Sequence, residues 1–502
     1  MTFDDVIAAI DALRRAGTNP EIASVEYDSR AVRPGSLFVA MQGETTDGNH
    51  YIGRAMEQGA AAILTDSAKS FEETAGCFPH VAIAEVAHGR NALAVASANF
   101  YGHPERQLKL TGITGTNGKT TTAFLLDAIL NHSGRKTVLV GTIEYHVAGS
   151  VRPSPHTTPE SRDLLALLRE GVDAGATEAV MEVSSHALAQ GRVYGIPYDV
   201  AVFTNLTRDH LDFHGTMENY FSAKRKLFDA SLSHPPRAAV INVEDPYGAA
   251  LVPVAREAGA EILSYGLGTG DYRADNVKMT AAGMTFSLQS PAGPAKIETR
   301  LTGKVNVYNL LAASAAAHAR GLSLQEIQGG VASLACVPGR FQIVDAGQPF
   351  TVVVDYAHTD DALRNLTALA REFVSATGGR VITLFGCGGD RDKTKRPLMG
   401  RAAGESSDFV VLTSDNPRSE DPEIIISDAL PGLLQTRARY AVEADRAAAI
   451  KLAIQIARPG DIVLLAGKGH EKTQTIQGKT IPFDDAELAS QYLTELQRGI
   501  SA

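Results

Sequence analysis

Seven short apolar runs in this chain each end on glycine, charge or histidine, and this regularity restricts the fold more than any other feature. In the middle of the chain LKLTGI runs into GTNGKTT, EAVME into VSSH, and VAVFTN into LTRDHLDFHG. Further on, FTVVV runs into DYAH, VITLF into GCGGDRDKTKRP, FVVLT into SDNPR, and DIVLLA into GKGHE. A buried-type strand with polar residues at its C-terminal end is the pattern of an open α/β sheet, which binds ligands along that edge. The helical stretches between the runs give the fold class α/β. Two nucleotide-fold domains facing one shared site are expected.

A chain of 502 residues exceeds one ordinary core, so several domains are expected. One boundary falls at Tyr101–Pro104, before LKLTGI, and another near Pro338-Gly339, after the Ala-rich helical stretch Leu310–Arg320. The expected segments are 1–104, 105–337 and 338–502. The formal net charge of −10 argues against a nucleic-acid partner but leaves room for a local cationic pocket. The three cysteines, Cys77, Cys336 and Cys387, form no CxxC pair, which argues against a disulfide framework or a zinc site. No base is implied beside Cys387, so a nucleophile there is not expected. The N-terminus MTFDDVIAAIDALRR carries acids where a signal peptide needs bases, and it reads as an amphipathic helix. No apolar run approaches the ~20 residues of a membrane span, so a cytoplasmic protein is expected.

The sharpest single motif is Gly112-Ile113-Thr114-Gly115-Thr116-Asn117-Gly118-Lys119-Thr120-Thr121. A strict phosphate loop has Gly at 113, where this chain has Ile, but glycines recur at 112, 115 and 118. They let backbone N–H groups face phosphate oxygens at the start of a helix. Lys119 is then placed to reach the β- and γ-phosphates, and the Thr120 hydroxyl to ligate magnesium. Glu182, at a strand end beside this loop, suits a further magnesium ligand. Taken singly, His210 reads more readily as a structural histidine and Lys224 as a solvated helix charge.

Together these segments resemble the Mur ligase family over nearly the whole chain. The resemblance rests on GTNGKTT, TTP (Thr157, Thr158, Pro159), EVSSH, HLDFHG and the Ala-Lys pair ending at Lys224. NVYNLLAA (Asn306, Asn309), VPGRF (Arg340), DYAHT (Asp355, His358) and GKGHE complete it. It implies three domains: an N-terminal UDP-binding α/β domain, a central phosphate-loop ATPase domain with a mostly parallel sheet, and a C-terminal Rossmann-like domain. It implies that ATP is held by Gly115, Thr116, Asn117, Gly118, Lys119, Thr120, Thr121, Asn306, Asn309, Arg340, Asp355 and His358. Lys119, Glu182, His210 and Lys224 are implied as the catalytic group. Lys224 is implied to be carbamylated by carbon dioxide, giving an oxygen ligand for a second Mg2+ shared with His210, with Thr120 and Glu182 on the first. Lys226 lies about 200° further around the same helix and faces elsewhere. Ser29, Arg30 and Gln42, with Thr157, Thr158, Ser184, Gln190 and Arg192, resemble the UDP-substrate contacts. The usual DGH-type turn appears here as Asp47-Gly48-Asn49-His50, and Asp360 stands where the family usually has proline.

The branch of the family is indicated by Arg391, Asp415, Asn416, Pro417, Arg418, Gly467 and Glu471, which resemble the diaminopimelate-binding set. Paired arginines can hold the distal carboxylate that lysine lacks. The activity implied is ATP-dependent joining of meso-diaminopimelate to the D-Glu γ-carboxylate of UDP-N-acetylmuramoyl-L-alanyl-D-glutamate, through an acyl phosphate, by a monomer. A folylpolyglutamate-type ligase is the nearby alternative, and such enzymes normally lack the first domain and the DNPR turn. A non-catalytic ATP switch would not need Glu182, His210 and Lys224. A dehydrogenase is disfavoured because no GxGxxG opens a helix after any strand.

Overall fold

The computed structural model describes residues 1–43, 46–147, 149–232, 234–375 and 378–500. Among the described residues, three sheets of five or more strands stand in chain order. The first runs Ala12–Ala16, Ala82–Val86, Ala62–Thr65, Ser36–Ala40, Ser24–Glu26, and all but its first strand are parallel. The central sheet runs Glu261–Tyr265, Ala238–Asn242, Tyr198–Phe203, Lys109–Thr114, Glu178–Glu182, Thr137–Val140, and these are parallel. Glu144–Val147 and Ser150–Pro153 extend it as an antiparallel hairpin. The last sheet runs Gln342–Val344, Thr351–Asp355, Ile462–Ala466, Val381–Cys387, Phe409–Ser414, Arg439–Val442, and only its first strand is antiparallel. A three-stranded meander, Arg273–Thr280, Gly283–Ser290 and Gly293–Thr299, hangs beside the central sheet among the described residues.

The seven apolar runs are interior strands because helices cover both faces, so every side chain of Glu178–Glu182 and of Val381–Cys387 is buried. On one face of the central sheet the phosphate-loop helix Lys119–His132 packs with Lys304–Ala319. Lys304–Ala319 is apolar nearly all round, which suits a helix buried on all sides, and its alanines allow close approach. Arg320, just past its end, donates to Glu178 in a fully buried pair. No helix among the described residues is long and apolar enough to cross a membrane.

The N-terminus departs from the expected amphipathic helix. Thr2 and Asp5 form a capping box for a single turn, Phe3–Val6, and the chain then reverses through Ala9 at φ 62° into the strand Ala12–Ala16. The helical stripe would have needed Leu13 on a buried face, yet Leu13 is exposed. Backbone pairing with the free edge of Ala82–Val86 outweighs helical periodicity, and Arg14 closes the contact on Glu85.

In the last domain Arg446 and Asp485 form a fully buried pair, and Arg446 also donates to the carbonyls of Ser414 and Ala466. Those carbonyls end the two strands that deliver Asp415 and Gly467, so one guanidinium holds the ligand edge of the sheet. Asp485→Ala leaves that cation unpaired and should cost about 3–5 kcal/mol in the denaturant transition of this domain. Arg446→Met with Asp485→Leu should recover most of the loss; unchanged unfolding of Asp485→Ala would show that the pair contributes nothing.

Candidate active site

The site is assembled where strand ends from the central and last sheets meet. Lys109–Thr114 stops at Gly115, which has φ 150° and packs so closely that a Cβ would stand 1.8 Å from Thr204 Oγ1. Gly118, at φ 87°, would place a Cβ 2.4 Å from Asn309 Oδ1. Side chains at either position would push the loop off its supports, which explains the glycines the phosphate-loop pattern demanded. Asn205 Oδ1 accepts from Asn117 N at 2.9 Å, and Tyr220 and Thr116 share a hydroxyl contact at 3.1 Å.

Lys119 Nζ donates to the carbonyls of Gly115 and Thr116, both at 2.9 Å. Lys224 Nζ, which is fully buried, donates to the same Gly115 oxygen at 2.8 Å and lies over the Tyr220 ring. Neither lysine is in an ion pair among the described residues. Burial pulls the Lys224 amine well below the ordinary lysine value, and the charge of Lys119 pulls in the same direction. Burial also lowers Lys119, opposed by the charges of Glu182 and Asp209.

Glu182 is wholly buried and surrounded by oxygen and nitrogen donors. Its carboxylate accepts from Thr120 Oγ1 at 3.0 Å, from Thr142 N at 2.8 Å and from Thr142 Oγ1 at 3.0 Å. Thr157 Oγ1 lies 3.1 Å from Thr142 Oγ1, and Thr158 Oγ1 donates to the Glu182 carbonyl at 2.8 Å. The carboxylate of Glu182 and the hydroxyl of Thr120 offer oxygen ligands of the kind that fits a hard divalent cation. Among the described residues no three His, Cys, Asp or Glu side chains converge as a cage, so phosphate and water oxygens would have to complete it. His210 stands at φ 53° between Asp209 and the ring of His186; its side chain is partly exposed, but desolvation, with the charges of His186, Lys119 and Lys224, lowers its imidazole to about 3. It is therefore neutral at ordinary pH and able to ligate a metal through nitrogen.

The C-terminal domain reaches this point directly. Arg340 Nη2 donates to Thr120 Oγ1 at 3.2 Å while its guanidinium covers the Tyr356 ring at 4.6 Å. Asn306 donates to the Thr302 carbonyl and accepts from Asn309, beside Gly118. Asp355 accepts from the N–H groups of Phe341 and Ala357, and His358 meets the Tyr356 carbonyl at 2.8 Å. Asp360 opens its helix, as an acidic first-turn residue should, behind a Thr359 cap. The neighbouring Asp361 accepts from Asn117 at 3.2 Å, tying that helix to the phosphate loop.

A second group of expected residues gathers at the far strand ends of the last sheet. Arg418 has φ 54°, rare for a side-chain-bearing residue, and its Nη1 donates to the Gly389 carbonyl at 2.6 Å. The hairpin Thr473–Ile476/Lys479–Pro482 pins it through Arg418 N to the Thr475 carbonyl. Asn416 donates to Glu471 at 2.8 Å, and the buried Lys468 donates to both. Arg391 is exposed nearby, and neither Arg391 nor Arg418 is in an ion pair among the described residues.

The N-terminal residues are less closely gathered. Ser29 is buried and Arg30 is exposed, held by Asp28. Gln42 and Gln190 line a cleft of about 630 Å³ between the first and central sheets, together with His88, Arg90, Asn91 and Lys226. Ser184 caps the helix Ser185–Gln190, and Arg192 donates to the Thr158 carbonyl and pairs with Glu160.

The comparisons with known proteins agree in kind. The Mur ligase family, catalytic domain, matches residues 21–101; the Mur ligase middle domain matches 113–317; and the Mur ligase, glutamate ligase domain, matches 339–469. The chain belongs to the Mur ligase family. It is 53% identical, over 98% of either chain, to the UDP-N-acetylmuramoyl-L-alanyl-D-glutamate–2,6-diaminopimelate ligase of Solibacter usitatus (strain Ellin6076). A protein of the same name from Geobacillus thermodenitrificans (strain NG80-2) is 46% identical, over 94% of this chain and 95% of that one. A solved structure of a ligase so named superposes with a TM-score of 0.69 at 34% identity, covering 99% of both chains.

Several residues of this ligase's site were not singled out in the sequence: Asn205, Tyr220, Thr142, Asp361 and Lys468. Asn205 and Lys468 lie within quoted motifs, and Tyr220 opens the Y-x-x-A-K pattern that ends at Lys224, whereas Thr142 and Asp361 are brought in by packing alone. His214, also missed as a separate element, stacks on Tyr220 and meets Ser185 Oγ at 2.9 Å. Burial, with His186 and Lys224 adding repulsion, lowers its imidazole to about 4. Its folded value is below the unfolded value of about 6.5, so protons favour the unfolded chain between those limits. Melting temperature should fall as pH drops from about 6.5 to about 4, and His214→Phe should flatten that slope. An unaltered slope would show that His214 does not carry it.

Proposed function

We propose that this enzyme joins meso-diaminopimelate to the D-Glu γ-carboxylate of UDP-N-acetylmuramoyl-L-alanyl-D-glutamate with ATP as co-substrate, a step of peptidoglycan precursor synthesis. Full-length relatives carrying that name support the reaction. The observation that carries the amino-acid choice is the turn Asp415–Arg418, where Arg418 and Arg391 present cations that are in no ion pair among the described residues.

A carboxylate anion is a poor electrophile, so the γ-carboxylate is first phosphorylated by ATP, and the diaminopimelate amine then displaces phosphate. The chain's own part is positioning and neutralisation of charge. Residues 115–121 wrap the phosphates, Lys119 neutralises charge on the transferred group, and Arg340, Asn306, Asn309, Asp355 and His358 hold the nucleoside end. Mg2+, which the oxygens of Thr120 and Glu182 would hold, with His210 and a modified Lys224 at a second ion, supplies further neutralisation when bound. Ser29, Arg30 and Gln42 are assigned to the uridine end of the other substrate, and Thr157, Thr158, Ser184, Gln190 and Arg192 to its peptide end. Asp415, Asn416, Pro417, Gly467 and Glu471 shape the diaminopimelate pocket. We further propose domains spanning 1–104, 105–337 and 338–502, and a cytoplasmic monomer, since one chain supplies every assigned group.

Carbamylation of Lys224 belongs to the same proposal. An unprotonated amine adds to carbon dioxide, forming the N–C bond and releasing one proton, and burial, which holds the Lys224 amine well below the ordinary lysine value, favours that form. The carbamate keeps one N–H, which can still donate to Gly115, and places an anion beside Lys119. Protein in 13C-labelled bicarbonate should give a carbamate carbon signal that Lys224→Ala lacks. That variant should be nearly inactive, with partial rescue by acetate. A fully active enzyme without the signal would refute the modification.

Specificity gives the second test. Wild type with ATP, Mg2+ and the UDP-linked dipeptide should yield product mass with diaminopimelate and little with lysine or ornithine. Charge-assisted hydrogen bonds contribute about 1.5–3 kcal/mol each, so Arg418→Ala should lose roughly tenfold to a few hundredfold in kcat/KM for diaminopimelate. KM for ATP should change little. Equal loss for diaminopimelate and lysine would make Arg418 structural and remove the argument for the distal carboxylate.

A further inference from the structure

The end of the last sheet facing away from the phosphate loop holds a cavity of about 990 Å³. It lies at the N-terminal ends of parallel strands. Arg380 precedes Val381–Cys387, Phe409 opens Phe409–Ser414, Arg439 opens Arg439–Val442, and Arg458 precedes Ile462–Ala466. The groups assigned to ATP and diaminopimelate follow the opposite ends of these strands, so this cavity belongs to neither.

Five arginines line it against two carboxylates, Glu405 and Asp408, an excess of three positive charges in a chain of net charge −10. Part of that charge has a structural purpose. Arg380 pairs with Asp461 and donates to the Ile456 carbonyl, and Arg401 pairs with Glu405. Helices Arg396–Glu405, Pro422–Leu433 and Arg446–Gln455 end here, and arginines commonly satisfy such C-terminal carbonyls. Three helix ends, at about half a negative charge each, offset about half of the excess. Arg439 and Arg458 use their backbone N–H groups on the Asp408 carbonyl and the Asp461 carboxylate, but the guanidinium groups of Arg437, Arg439 and Arg458 donate to no carbonyl and pair with no carboxylate among the described residues. Arg437 and Arg439 stand at the start of Arg439–Val442 and Arg458 stands before Ile462–Ala466, so two segments supply them to one concavity, whose remaining wall includes Phe409, Ile456 and Ala457.

We propose that this cavity binds a diphosphate-bearing small molecule through Arg437, Arg439 and Arg458, as an anion site separate from the phosphate loop. Guanidinium forks match phosphate oxygens two at a time, so a diphosphate can engage arginines from separate segments. The volume suits a ligand of nucleotide size, and the apolar wall gives a base a surface to lie on. Inorganic pyrophosphate and ADP share the recognised group and are the two probes.

Each probe is titrated calorimetrically at low salt into full-length Lys119→Ala protein, in which the phosphate loop is weakened. Saturable binding of pyrophosphate is expected, at least tenfold weaker once Arg437, Arg439 and Arg458 are all changed to Ala. ADP matching pyrophosphate would assign recognition to the diphosphate alone, and tighter ADP would add the apolar wall. All three arginines are exposed, so the melting temperature should be kept; should the triple variant not fold, Arg439→Glu is the replacement, with the same expected loss. Absence of saturable binding by either probe, or equal binding with and without the arginines, overturns the proposal.

Discussion

Two lysine amines, Lys119 and Lys224, donate to one carbonyl oxygen, that of Gly115, with no protein anion paired to either among the described residues. Like charges in a low-dielectric interior repel strongly, and the carbonyl dipole answers only part of that repulsion. Burial first, and this repulsion second, hold the amine of Lys224 well below its ordinary value. The protein thus maintains a place that favours added negative charge, as phosphate oxygens on one side and a carbamate on the other would supply. Much of the surrounding structure serves to hold this unfavourable arrangement: Gly115 pressed on Thr204, Asn205 capping the loop, Tyr220 beneath Lys224.

The two large sheets make that place useful. Glu182 ends the strand next to the phosphate loop, and Arg340 enters from the last domain to meet the same Thr120 hydroxyl that Glu182 accepts from. Asp361 on Asn117 and Arg208 on Thr394 fasten the domains on either side of it. The amino-acid pocket proposed at Asp415–Arg418 needs equal rigidity, and there Arg446 and Asp485 fix two strand ends from below. Both pockets therefore depend on where parallel strands stop rather than on loop sequence alone.

Much of this was legible along the chain, for identifiable reasons. A parallel strand buried on both faces must be continuously apolar, and its C-terminal end must change character abruptly. All seven runs stood out for that cause, and GTNGKTT stood out because a backbone cradle tolerates few side chains. The N-terminal segment misled because helical periodicity in fifteen residues is weak beside a free sheet edge waiting for a partner. Lys226 was placed correctly as facing away from Lys224, but helix geometry alone could not show that away meant toward the cleft with Gln42 and Gln190.

The sequence by itself determined the α/β class, the phosphate loop, the family and the pair of arginines suited to a distal carboxylate, because each is a local pattern imposed by backbone geometry or charge. Only the tertiary structure decided that Lys119 and Lys224 meet at one oxygen, that Arg340 and Asp361 close on the loop from another domain, and that arginines from separate segments share a cavity on the opposite face. Those relations join residues far apart in the chain, and contact at that range is fixed by how sheets and helices pack, which no local pattern encodes.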